Sequence, residues 1–266
     1  MNDRVTVSID QGVADVRFVR ADKMNALDDA MFDAIIAAGQ RLKDERGLRA
    51  VVLSGEGKAF CAGLDTGNFQ RAADAGRETR PQGRLLPRTH GIANRPQYAA
   101  WVWREVPVPV IAAVHGVAFG GGFQLTLGAD MRYVAPDTKL SVMEIKWGLV
   151  PDMAGTLLLR NLVRDDIMRD LTYTGRIFTG EEAFKMGMAT RLTTNPHAEA
   201  LESAREIAQK NPDAIRAAKR LMNALPVMPD AEGLLAESRE QDALGGKPNQ
   251  IEAVMSQMQR RAPNFT

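Results

Sequence analysis

The apolar positions alternate between two spacings for most of the chain. Val5–Ile9 and Val13–Val19 carry strand patterns around Gln11-Gly12, which predicts a β-hairpin. From Asp28 to Arg46 the period becomes helical, with Met31, Ile35, Ala38 and Leu42 on one face and Gly47 as the stop. Ala50–Leu53 and Val108–Val114 are short β-branched runs that predict buried strands, and a helix is expected to begin at Gly122–Leu127. Met131–Ala135 and Lys139–Met143 read as strands, and Leu157–Val163, Ile167–Tyr173 and Glu181–Met186 as helices. Strands alternating with helices predict an α/β core of largely parallel strands. After about residue 196 the strands stop. Ala198–Lys210, Pro212–Leu225, Glu232–Ala243 and Pro248–Gln259 predict consecutive helices. The expected division is a core over 1–195 and a helical region over 196–266.

Residues 66–98 interrupt both patterns with Gly76, Pro81, Gly83, Pro87 and Pro96. They also hold Arg71, Arg77, Arg80, Arg84, Arg88 and Arg95. This stretch reads as a solvated loop, or as a lid that meets phosphates.

Two glycine-rich segments follow the two buried strands. Gly57-Lys58-Ala59-Phe60-Cys61-Ala62-Gly63-Leu64-Asp65 is one, and His115-Gly116 through Gly122-Phe123-Gln124 is the other. A strand, a glycine turn and a helix start aim free backbone N–H groups at an anionic oxygen. Two such turns can supply two donors to one oxygen, as an oxyanion hole does. The same turns are also ordinary tight connections in α/β proteins. Neither segment has the phosphate-binding or dinucleotide-binding glycine spacing.

Composition narrows the class. The chain has 266 residues, 45% hydrophobic and 25% charged, and a net charge of +1, which gives no broad nucleic-acid footprint. One cysteine, Cys61, allows no intrachain disulfide and suits a reducing, cytoplasmic setting. No secretory leader and no membrane-spanning run is visible. His90, His115 and His197 show no metal-ligand spacing. His115, at a strand end, is expected to satisfy backbone groups, and Cys61 to be a buried thiol.

The whole chain resembles the crotonase superfamily, the enoyl-CoA hydratase/isomerase group. The likeness runs from Lys23-Met24-Asn25-Ala26-Leu27 to the Arg261-Ala262-Pro263-Asn264-Phe265 tail. It includes both glycine segments, Ala129–Tyr133, Glu144, Gly148–Asp152 and Thr179–Ala183. The resemblance implies a spiral of ββα turns with terminal helices, assembled as homotrimers or dimers of trimers. It implies acyl-CoA thioester substrates, with no cofactor beyond the coenzyme A of the substrate itself. By motif, the two oxyanion donors fall on the amides of Leu64 and Gly121. Lys23, Ala26, Lys58 and Ala62 fall at CoA-contact positions, although either lysine is equally at home on a solvated surface.

The acid/base positions depart from the two-glutamate hydratase pattern. The first is Gln124, which exchanges no proton near neutral pH but can hold a water or cap a helix. The second is Glu144, the expected general base. Asp152, eight residues on, matches an aspartate of dienoyl-CoA isomerases, or caps the helix that follows. The resemblance therefore implies an enoyl- or dienoyl-CoA isomerase, active-site pattern closest to the dienoyl members. A 2-enoyl-CoA hydratase and a non-catalytic acyl-CoA-binding protein are the alternatives. A protease of the same fold would need a serine where Phe123 and Gln124 stand.

Overall fold

The structure, a computed structural model, describes residues 3–65, 67, 83 and 85–266. Strands β1 (Val5–Asp10) and β2 (Val13–Phe18) form the expected antiparallel hairpin. β3 (Ala50–Gly55), β4 (Val110–Val114), β6 (Met131–Val134) and β9 (Arg191–Leu192) then extend it in parallel, in the order β1-β2-β3-β4-β6-β9. A second sheet joins β5 (Val117–Phe119), β7 (Lys139–Ser141) and β8 (Phe178–Thr179).

The unbroken apolar runs of β3 and β4 follow from burial on both faces. Successive side chains alternate sides. Val51 and Leu53 of β3, with Val110, Ala112 and Val114 of β4, enter the main core beneath α1 (Asp29–Lys43), α2 (Arg95–Glu105) and α3 (Gly121–Gly128). Ala50, Val52, Ile111 and Ala113 face the other way, onto Ala200 and Ala204 of α7 (Pro196–Ala208). Those two alanines sit four residues apart and are fully buried, so α7 lies close against the sheet.

Among the described residues the other α-helices are α4 (Gly155–Leu159), α5 (Asp165–Thr174), α6 (Gly180–Lys185), α8 (Pro212–Ala224), α9 (Asp230–Leu244) and α10 (Pro248–Met258). The four expected C-terminal helices all form. Several boundaries differ from expectation. α1 ends at Lys43 rather than Arg46; its last core residue is Leu42, and the charged residues beyond it add nothing to the core. β7 stops at Ser141, so Glu144 opens a short 3-10 turn instead of following a strand directly. α4 is shorter than the predicted Leu157–Val163 and begins earlier. α2 was not expected at all. Its start is fixed by a capping box in which Asn94 and Gln97 satisfy each other's backbone N–H, with Pro96 in the first turn. Arg71, Arg77, Arg80 and Arg84 lie outside the described residues. Arg88 donates to Gln97 and to the carbonyl of Leu86, while Arg95 pairs with Asp29 at 3.1 Å and Asp33 at 2.8 Å on α1.

α8 is pinned to the core by Lys219. Its ammonium, on a side chain only 5% exposed, donates to Asp130 at 2.8 Å and to the carbonyls of Val108 and Trp103. Burial pushes the lysine pKa down, and the Asp130 charge opposes that shift. Asp130 also accepts from the Val110 amide at the start of β4. Replacing one partner of a buried pair strands the other. Lys219→Ala should cost about 3 kcal/mol of unfolding free energy, read as a lower urea midpoint. A midpoint within error of the parent would show that α8 is not held this way.

Candidate active site

The two glycine segments meet because backbone packs on backbone. A side chain on Gly122 would overlap the carbonyl of Cys61, and one on Gly63, at φ +90°, would lie 2.6 Å from the Phe119 carbonyl. The second of these positions is also only 3.8 Å from the Gly121 nitrogen. Ladder bonds lock the crossing: Cys61 N–H donates to Val117, and Phe119 N–H returns to Cys61.

The amides of Leu64 and Gly121 are thereby left available. Leu27 exchanges its bonds with Gly63 and Asp65, which flank Leu64, so the Leu64 N–H faces away from Leu27. Gly121 is the first residue of α3, where an N–H has no acceptor within the helix. The positive end of α3 adds to the same spot. Met153 Sδ and Leu27 Cδ1 stand at 2.8 and 2.9 Å from where a Gly121 side chain would be, so apolar atoms crowd this glycine on its side-chain face.

Glu144 lies beside the turn. Its Oε1 is 3.2 Å from the Cβ position of Gly120, and the residue is 8% exposed. Burial raises its pKa above the usual carboxylate value. Its own backbone N–H and Gln124 pull the pKa down, and the nearby Asp152 charge adds to the rise. Oε1 accepts from Gln124 Nε2 at 2.6 Å, while Oε2 is buried with no hydrogen-bond partner among the described residues.

Gln124 is engaged at both ends of its side-chain amide. Its Oε1 accepts the amides of Met153 and Gly155, each at 2.9 Å. Two backbone donors fix which end of the side-chain amide is oxygen, and so aim the NH₂ at Glu144. The helix-capping role open to Gln124 is thus the one it fills, at the start of α4. The residue at that helix's N-cap is Ala154, at φ +64°, and the Gly155 amide there is accepted by Gln124. Asp152 is exposed and lies close enough for its charge to act on Glu144.

The predicted CoA-contact residues gather on two adjoining loops. Buried Asn25 staples them: its side chain donates to the carbonyls of Glu56 and Ala59 and accepts from Arg20 N–H. Ala62 N–H donates to Met24. Lys23 and Lys58 are exposed on these neighbouring loops, while Ala26 is buried and its carbonyl accepts from Arg20. Asn25 was not singled out from sequence. Its signal was present, since asparagine tolerates the left-handed backbone it adopts at φ +56°. His115 does satisfy a backbone group, contacting the Gly57 carbonyl at 3.0 Å. Cys61 is fully buried, donates to the Asn25 carbonyl, and has its thiol pushed up to about 12 by burial.

Comparison with known proteins agrees with this architecture. The model of the enoyl-CoA hydratase/isomerase family matches residues 8–266. A Mycobacterium tuberculosis protein named a probable enoyl-CoA hydratase is 30% identical over 99% of this chain and 98% of its own length. The carnitinyl-CoA dehydratase of Salmonella typhimurium is 36% identical over 79% of this chain and 77% of its own. Among solved structures, an enoyl-CoA hydratase from Bacillus anthracis superposes with a TM-score of 0.88 at 25% identity, covering 98% of both chains. The chain belongs to the enoyl-CoA hydratase/isomerase family and has the crotonase fold. No helix among the described residues is long and apolar enough to cross a membrane.

Two variants test the site. Gln124→Leu leaves the Met153 and Gly155 amides without an acceptor, at roughly 1–3 kcal/mol each. It also removes a bond to the charged form of Glu144, so any acid limb of kcat/KM should move to higher pH. An unmoved limb would uncouple the two residues. Glu144→Gln should raise the Tm at neutral pH. A carboxyl whose folded pKa is raised loses its proton first in the unfolded chain, so stability falls as pH climbs from the ordinary 4.5 through the raised value. A lower Tm would mean that the Glu144 charge is compensated.

Proposed function

We propose that this protein acts on acyl-CoA thioesters by stabilising a thioester enolate, and that its principal reaction is migration of a double bond in an enoyl- or dienoyl-CoA. One observation carries the reading: Glu144 holds a buried, unpartnered carboxylate oxygen beside the Gly120–Gly121 turn, while the neighbouring Gln124 is spent on structural bonds.

The thioester oxygen accepts from the Leu64 and Gly121 amides. Glu144 Oε2 takes a proton from carbon, and the electron pair flows to that oxygen. Each well-aimed donor is worth about 3 kcal/mol of barrier. The protonated Glu144 then returns the proton at a different carbon of the same conjugated system. For a longer diene, exposed Asp152 serves as the second proton-carrying group. Lys23 and Lys58 meet the CoA phosphates, with Ala26 and Ala62 lining its path.

Hydration of a 2-enoyl-CoA is the second reading, favoured by the hydratase names of several relatives. It requires a water held between two acid/base groups. The Gln124 amide has its oxygen on two backbone donors and a hydrogen on Glu144, which leaves little with which to activate that water. Assembly as trimers is part of the same proposal. Leu234, Leu235, Val254, Met255 and Met258 leave an exposed apolar surface on α9 and α10 that a second copy would cover.

Incubation with 2-enoyl-, 3-enoyl- and 3,5-dienoyl-CoA separates the readings, because hydration adds the mass of water and isomerisation does not. Isomerisation should dominate. Glu144→Gln should lower it by at least about 100-fold with CoA-ester binding nearly unchanged. Asp152→Asn should slow diene isomerisation more than hydration, and Gln124→Glu should raise hydration. Rapid hydration by the parent protein, indifferent to Asp152→Asn, would establish the hydratase instead. No turnover of any substrate would leave a binding protein.

A further inference from the structure

A cavity of about 660 Å³ opens at the opposite end of the sheet from the glycine turns. It lies before the first residues of β2 and β3, whereas the turns follow the last residue of β3. The six residues of that strand put about 20 Å between them. The cavity is lined by Gln11, Gly47, Arg49, Gln209, Asn264 and Phe265, among others.

Arg49 is the unusual member. Its guanidinium makes no ion pair among the described residues, and its Nη1 is buried without a hydrogen-bond partner. An arginine has five donors and no acceptor, so it cannot satisfy itself. Leaving a buried charged donor unmade is costly. Asp213, whose charge acts on the neighbouring Arg216, makes no ion pair with Arg49 and accepts from Asn249 at 2.9 Å. The neighbouring cation makes matters worse. Arg216 donates to the Leu48 carbonyl, and its own pKa is lowered by burial and then by the Arg49 charge. Arg49 therefore lines a cavity with no aspartate or glutamate among its lining residues, and a second cation, Arg216, lies close enough for the two charges to repel. Around it stand three side-chain amides able to donate, from Gln11, Gln209 and Asn264, and an apolar wall from Phe265 and Pro263. Gly47 has nothing within 4 Å of its Cβ position, so its backbone is open to close approach.

We propose that this cavity is a second ligand site, taking a small organic oxyanion, a carboxylate or phosphate ester, on the Arg49 guanidinium with its carbon skeleton against Phe265. A swing of Arg49 toward the cavity exchanges an unmade bond for a charge-assisted pair. The site is independent of the acyl-CoA reading, since none of its residues belongs to the catalytic region.

Calorimetric titration of the full chain in Tris-chloride with benzoate, phenyl phosphate and inorganic phosphate tests it. At least one aromatic anion should bind once per chain and more tightly than inorganic phosphate, and which one does distinguishes carboxylate from phosphate ester. Arg49→Gln should weaken it by about tenfold or more, and Arg49→Lys should retain part of the affinity. Turnover of acyl-CoA substrates by both variants should match the parent, which also certifies folding. Saturating CoA should leave the titration unchanged. The site is refuted if no probe gives heat at millimolar concentration, if binding survives Arg49→Gln, if CoA displaces the probe, or if inorganic phosphate binds as tightly as the better of the two aromatic anions.

Discussion

Everything at the candidate active site depends on two stretches of main chain passing closer than any side chain would permit. The segment after β3 and the segment after β4 touch through Gly122 against the Cys61 carbonyl and Gly63 against the Phe119 carbonyl. The contact turns two separate helix-and-strand connections into one pair of amide donors. Their acidity and direction come from backbone, so the Leu64 side chain, 39% exposed, has no part in defining them. The parallel register of β3 and β4 holds the two segments side by side.

The second constraint is Gln124. One side chain caps α4, selects its own orientation through two backbone donors and fixes one oxygen of Glu144. The other oxygen is buried with no hydrogen-bond partner among the described residues. Burial that raises the Glu144 pKa costs stability, as is common where a base must be held ready for carbon acids. An amide at position 124 offers no exchangeable carboxyl proton, and here it donates to Glu144 Oε1 instead.

Much of this was legible in the sequence, for local reasons. The hairpin, the apolar strands, both glycine turns and the C-terminal helices all follow from period and punctuation. Glu144 stood out by its place in the motif. The rest was hidden because it is non-local or short. Gln124 meets its amide partners 29 and 31 residues away. β5, β8 and β9 have two or three residues each, too few to show a period. α2 lay concealed behind Pro96 and arginines, although its Asn94-to-Gln97 capping box was readable. The end of β7 at Ser141 could not be seen, since the apolar residues continue to Met143 while the pairing with β8 does not.

The central claim is that Glu144 removes a proton from carbon while two backbone amides hold the resulting enolate. The most direct measurement is exchange of the α-protons of butanoyl-CoA into deuterated water, followed by proton NMR. This substrate has no double bond to move or hydrate, so exchange reports the enolate alone. The account predicts exchange well above background with the parent protein and loss of it in Glu144→Gln. Background exchange with the parent, or exchange that persists in Glu144→Gln, would contradict it.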